Sequence, residues 1–241
     1  MENIRKAIAA SSMYKWWVYS SVAAGAFVTV ADQTATSIAL PRISSELGTD
    51  IPTAQWLYLA YTLCICALLL PMGRLSDAYS RKKIYCSGLS IFAIGAFLAH
   101  LSSELQFLII SKAIQGCGAA MVQANGMALM AEAFPARQRG MAIGLYMTVI
   151  GLAAVGGPVI GGFLVSGFGW RSIYIGSSIV GTLGLGLALI AVSDLNVRVL
   201  SDRKKRDWTE LSSFDWIGAV LSASALSSFL LAITYSSRLG W

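Results

Sequence analysis

Long apolar runs broken by short polar stretches set the pattern of this chain. A helix needs about 20 mainly apolar residues to cross the hydrocarbon layer. Seven stretches are long enough: 16–40, 54–73, 84–102, 105–131, 139–165, 171–193 and 214–235. The pattern predicts an all-α integral membrane fold of six helices followed by a seventh transmembrane helix. Most connections are short. The longest, 194–213, contains DRKKRDWTE and reads as aqueous. The expected divisions are therefore an N-terminal segment 1–15, a bundle 16–193, a charged loop 194–213, and a last helix with its outer end at 214–241. The basic start MENIRKAIAASSMYKWW leads into a long apolar run with no small-residue cleavage site, so an uncleaved first helix is expected.

Composition agrees with this pattern. Hydrophobic residues make up 56% of the chain and charged residues only 12%, where a soluble domain carries about 25%. The mean hydropathy is +0.66. The net charge of +6 raises the question of a nucleic-acid partner, and its distribution answers against one. With the N-terminus inside, the inner segments hold Arg5, Lys6, Lys15, Arg74, Arg81, Lys82, Lys83, Arg137, Arg139, Arg198, Arg203, Lys204, Lys205 and Arg206. The outer segments hold only Arg42, Arg171 and Arg238. That asymmetry is topogenic and predicts a cytoplasmic N-terminus. The cysteines, Cys64, Cys66, Cys86 and Cys117, lie in or beside apolar runs and read as small reduced packing residues. The single histidine, His100, makes no metal site. No Ser/His/Asp set and no ATP-binding motif appears, so no enzyme, no catalytic residue and no metal or organic cofactor is expected.

One basic residue remains, Lys112, inside the run 105–131. A charge at mid-bilayer costs at least ~2.5–3.5 kcal/mol on insertion scales, so it needs a reason. Lys112 lies seven residues into its helix, about 10 Å deep. Asp32 lies eight residues before Leu40, where the first helix is expected to end ahead of Pro41, about 12 Å deep. Opposite charges at equal depth tend to pair or to share a polar cavity. Lys112, Gln115, Ala119, Gln123 and Gly126 share one helix face, and Thr29, Asp32, Gln33 and Thr36 form a second polar stripe. Two such stripes predict a water-accessible cavity lined by Thr29, Gln33, Thr36, Gln115 and Gln123, with Asp32 and Lys112 as its charged pair. The alternative is a buried pair and amides that only fix helix packing. Trp56, Tyr58 and Tyr61 are candidates to stack on an aromatic cation, or are interfacial aromatics.

Several segments resemble the major facilitator superfamily. GRLSDAYSRKK (73–83) is similar to its signature between helices 2 and 3, with Gly73, Leu75, Asp77, Arg81 and Lys82 at the fixed positions. ISKAIQGCGAA (110–120) is similar to the helix 4 signature of proton-driven members. GLAAVGGPVIGG (151–162) is similar to the helix 5 antiporter signature, carried here by Gly151, Gly157, Pro158, Gly161 and Gly162. DQTATSIALPRI (32–43) and the final apolar segment resemble the drug:proton antiporter branch with 14 helices. The resemblance implies that 16–193 is the N-terminal transporter bundle and 214–235 a linker helix. It implies that Asp77, Arg81 and Glu132, with Gly73 and Lys82, form a cytoplasmic gating cluster; the alternative is a solvated, topology-setting loop. It implies that the helix 5 glycines and Pro158 let two helices approach and bend one of them. The family usually has arginine where this chain has Lys112. Arginine stays charged, whereas lysine is a point charge that gives up its proton more readily in apolar surroundings.

The function implied is secondary active efflux of drugs or small organic molecules by alternating access, driven by a proton gradient. The expected partners are a small-molecule substrate, the proton, the lipid bilayer and a missing C-terminal bundle, since seven helices make an incomplete half of such a transporter. The expected location is a bacterial inner membrane. A metabolite exporter or uncoupled facilitator of the same superfamily is one alternative. A truncated, non-transporting membrane interaction or sensor protein is another.

Overall fold

The computed structural model describes residues 13–192 and five further helical positions, 218, 221, 224, 225 and 228. The expected loop 194–213 and the rest of the expected seventh helix lie outside the described residues. Six long helices run through the described chain: α1 Tyr14–Glu46, α2 Trp56–Ala78, α3 Arg81–His100, α4 Leu105–Ala133, α5 Arg139–Phe168 and α6 Arg171–Ala191. A single helical turn, Ile51–Ala54, precedes α2, and a 3₁₀ turn, Ala136–Gln138, precedes α5. No strand occurs among the described residues.

Among the described residues, five spans are long and apolar enough to cross a membrane: Ile51–Asp77, Arg81–His100, Leu105–Ala133, Ala136–Phe168 and Arg171–Ala191. The first helix is not among them. Asp32, Gln33 and a run of threonines and serines dilute its hydropathy, and bundle contacts bury much of that polar surface. This agrees with the all-α membrane fold.

Helix ends follow local chemistry. Ser80 caps α3, its hydroxyl accepting from the Lys83 N–H at 3.3 Å. Phe134 is extended (φ −102°, ψ 139°) ahead of Pro135, which stops α4. Gly169, at φ +82°, ends α5 in a conformation costly for a side chain. Two expected ends move. Helix α1 continues through Pro41 to Glu46. Proline removes one helical hydrogen bond, but Ile43 is fully buried in a cluster with Leu57, Leu108 and Trp170, and that packing carries the helix onward. Helix α2 likewise continues through Pro71 to Ala78. The segment expected as a loop, 73–83, is therefore mostly helical, with only Tyr79 and Ser80 between helices.

The six helices pack as two interlocked triplets. Helix α1 lies against α5 and α6, and α4 lies against α2 and α3. The first helix of each triplet is thus clasped by the second and third of the other. Helices α1 and α4 also touch each other, as do α3 and α6. Helices α3 and α4 are the most covered of the five spans, α2 and α5 the least. Three apolar clusters stack along the bundle. One, around Tyr85, Met130 and Phe134, lies towards the Arg81 end. One, around Tyr61 and Phe92, is central. One, around Leu57, Leu108, Trp170 and Tyr174, lies towards the Glu46 end.

Candidate functional site

Asp32 on α1 and Lys112 on α4 meet where these two helices cross. The Lys112 Nζ donates to Asp32 Oδ2 at 2.5 Å and to Gln115 Oε1 at 2.7 Å. Both charged side chains are sealed, at 1% and 0% exposure. Two aromatic rings flank the ammonium: Tyr61 of α2 at 4.7 Å and Tyr174 of α6 at 5.1 Å from their centroids. A desolvated cation over a ring gains about 2 kcal/mol. The Tyr61 hydroxyl donates to the Thr29 carbonyl at 2.8 Å, which fixes that ring. Asp32 Oδ1, Gln115 Nε2 and the Tyr174 hydroxyl are buried without a hydrogen-bond partner. Removing a buried charge from this pair leaves the other uncompensated, at a cost of ~3–5 kcal/mol.

The two polar stripes meet at Asp32 and Lys112, and Thr29, Thr36 and Gln115 are buried around that contact. Thr29 is fully buried, and its hydroxyl donates to the Gly25 and Ala26 carbonyls of its own helix. Thr36 is buried and donates to the Asp32 carbonyl at 2.8 Å. Threonine satisfies itself against the preceding turn, so both stripe threonines face helix backbone rather than open space. Gln33 is half-buried and ties α1 to α2 through Thr62 at 3.0 Å. Gln115 holds the lysine, and Gln123, two turns further along α4, is half-buried.

Arg81 forms the second charged constellation, at the opposite end of α2. Its Nη2 lies 2.7 Å from Asp77 Oδ1, and its Nη1 pairs with Glu132 Oε1 near the end of α4. Three helix ends are tied by one guanidinium. Gly73 lies within α2 with nothing within 4 Å of where a Cβ would stand. Lys82 is half-buried in the first turn of α3.

On α5, Gly157 and Gly161 meet α1. A Cβ on Gly157 would stand 2.8 Å from the Ala31 carbonyl, and one on Gly161 would stand 2.8 Å from Ala35 Cβ. The pairs 157/161 and 31/35 are one turn apart, so α5 and α1 touch by backbone on both sides of Asp32. Gly151 and Gly162 point elsewhere, with open space where a side chain would go. Pro158 lies inside α5 without ending it.

Sequence reading missed Tyr174, and took Tyr61 as a guest-stacking or interfacial residue. Tyr61 is fully buried on the lysine. It also missed a clasp at the Glu46 end. Trp170 Nε1 donates to Glu46 Oε2 at 2.8 Å, Arg42 Nε to Glu46 Oε1 at 2.7 Å, and Arg171 Nη2 to the Ser102 carbonyl at 3.1 Å. The Trp170 and Arg42 bonds hold the Glu46 carboxyl below its ordinary range. Its only sequence signal is the i,i+4 pair Arg42–Glu46.

The sequence profile of the Major Facilitator Superfamily matches residues 22–241. The chain belongs to this superfamily of membrane transporters. Among curated members, riboflavin transporter RibZ of Clostridioides difficile is 34% identical over 219 residues, covering 91% of this chain and 46% of RibZ. Multidrug resistance protein Stp of Mycobacterium tuberculosis is 29% identical over 218 residues, covering 90% of this chain and 38% of Stp. The superfamily chain described here thus spans less than half the length of the relatives it matches. Among solved structures, peptide transporter POT in complex with sulfate superposes with a TM-score of 0.65 over 98% of this chain and 50% of that one, at 15% identity. At that identity the likeness concerns the fold alone.

Proposed function

We propose that this chain is the N-terminal half of a secondary active exporter of small organic molecules, coupled to protons and working by alternating access against a second bundle. The observation that carries this reading is the sealed Asp32–Lys112 pair between α1 and α4. An intramembrane ionisable pair is expensive and marks a proton or substrate pathway more often than a packing device. In this reading the pair is sealed in one state, and Asp32 takes up a proton in another. Neutralising Asp32 weakens its hold on α4 and biases the two cavity-facing states, and the bundles rock about a midplane site. The Arg81–Asp77–Glu132 cluster then lies on the cytoplasmic side, together with the N-terminus, in a bacterial inner membrane. It ties the ends of α2, α3 and α4 in one state and releases in the other. Stp, named for multidrug resistance, supports drug efflux. RibZ, named as a riboflavin transporter, favours a second reading: a metabolite transporter or uncoupled facilitator on the same scaffold.

The test is Asp32→Asn in the full-length protein, assayed in everted vesicles with and without an imposed pH gradient. Loss of gradient-driven efflux with unchanged membrane insertion is the expected result. Gradient-driven transport at the wild-type rate in that variant would reject Asp32 as the proton site. Wild-type transport indifferent to the gradient would select the facilitator reading.

A further inference from the structure

The groups in contact with Lys112 Nζ suit an ammonium better than a neutral amine. Every contact on Nζ accepts positive charge: Asp32 Oδ2, Gln115 Oε1, and the faces of Tyr61 and Tyr174. A neutral amine has a lone pair that needs a donor. Ring faces cannot donate, the Tyr61 hydroxyl is committed to the Thr29 carbonyl, and the two buried donors without a partner, Gln115 Nε2 and the Tyr174 hydroxyl, are not bonded to Nζ, which Gln115 meets through its oxygen. The remaining titratable group on the ammonium is Asp32 itself, from α1. Cys64 of α2 and Cys117 of α4 face one another near this level, beside the contact of Gly116 with Tyr61 and Cys64. From α3, Gly95 lies against Gln115, and its missing side chain lets the two backbones close behind the amide.

We propose that Tyr61 and Tyr174 are positioning residues that keep Lys112 an ammonium whether or not Asp32 carries a proton. This rests on reading Asp32 as the proton site, and it assigns the lysine a fixed charge beside it. The pair has four protonation states: carboxylate with amine, carboxylate with ammonium, carboxylic acid with amine, and carboxylic acid with ammonium. The ring faces and Gln115 Oε1 favour the two that hold an ammonium. The cycle therefore alternates between one and two protons on the pair. The second proton goes onto the carboxylate, whose Oδ1 has no other partner. Losing a proton from Nζ is excluded from the cycle. The cage gives lysine the constancy of charge that an arginine has by itself.

The test is the ¹⁵N resonance of Lys112 Nζ in full-length protein in lipid nanodiscs, assigned by its absence in Lys112→Arg. In Asp32→Asn with both rings intact, the ammonium signal should persist at neutral pH. Adding Tyr61→Leu and Tyr174→Leu should convert it to the amine, each ring removed lowering the midpoint by about one pH unit. Tyr61→Phe and Tyr174→Phe keep the rings and should keep the ammonium. Where leucine variants fail to fold, fluorinated phenylalanines at position 174 weaken the ring face without changing its shape, and the midpoint should fall with each fluorine. An amine signal in Asp32→Asn with both rings present, or a midpoint indifferent to ring removal and fluorination, would overturn the proposal. The readout involves no transport. Efflux surviving in Asp32→Asn would reject the coupling role and leave this result standing or falling separately.

Discussion

The Asp32–Lys112 pair in the middle of the bundle and the Arg81 cluster at its end use the same chemistry, a cation held by carboxylates, in opposite surroundings. Lys112 and Asp32 are 1% and 0% exposed, whereas Arg81, Asp77 and Glu132 are 27%, 54% and 37% exposed. In the core both side chains are shut off from bulk solvent, so each charge depends on its partner and on the tyrosine faces. At the end, water competes for every charge, and an exposed pair is worth ~0.2–1 kcal/mol. The core pair is therefore costly to break and sensitive to its own protonation. The end cluster is cheap to open and sensitive to salt. A latch that must release belongs at the end, and a switch that must notice one proton belongs in the core.

Three measurements on the full-length protein sharpen that contrast. The largest effect should come from Lys112→Met, which strands Asp32. Thermal unfolding at pH 8 should report a loss of ~3–5 kcal/mol, recovered largely in Asp32→Asn/Lys112→Met, where no charge is left alone. Equal stability in the single and double variants would show that the pair is not desolvated. A smaller effect is expected for Glu132→Gln, ~1 kcal/mol or less, shrinking further in high salt. A loss as large as that of Lys112→Met would erase the distinction between core and end. Smallest is the Glu46 clasp. Its carboxyl is held below the ordinary range in the folded state, mainly by Trp170 and then by Arg42. Its contribution is thus present above the unfolded value of 4.5 and is lost as pH falls through the lower folded value. Wild type should lose stability over that acid window by a fraction more than Glu46→Gln, and identical acid profiles would dismiss the clasp.

The fold was legible because lipid demands long apolar helices and little else. The helix ends were less so. Placing the end of α1 at Leu40 gave a depth match between Asp32 and Lys112, yet α1 runs on to Glu46. The match survives because depth is shared where helices cross, not where they end. Asp32 and Lys112 stood out because charges are rare in apolar runs. Tyr174 did not, because a tyrosine among apolar residues looks the same whether it faces lipid or a cation. Thr29 and Thr36 were read as cavity polar groups, but their hydroxyls bind their own helix, which no spacing rule reveals. The Glu46–Trp170–Arg171 clasp joins residues more than 120 positions apart, and only the i,i+4 fragment of it was local.

The contact between α5 and α1 has a mechanical meaning. Ala31 and Ala35, seated on Gly157 and Gly161, bracket Asp32 within a single turn. The reverse side of α5 carries Leu152, Val155, Val159 and Phe163, all strongly exposed among the described residues. Helix α5 is therefore a strut with one edge fused to the acid's own turn and the other edge bare. Only small side chains, Thr34 and Ala35, stand in the contact, which leaves little room for slack. The bare edge and the acid thus lie on opposite sides of one tight helix contact.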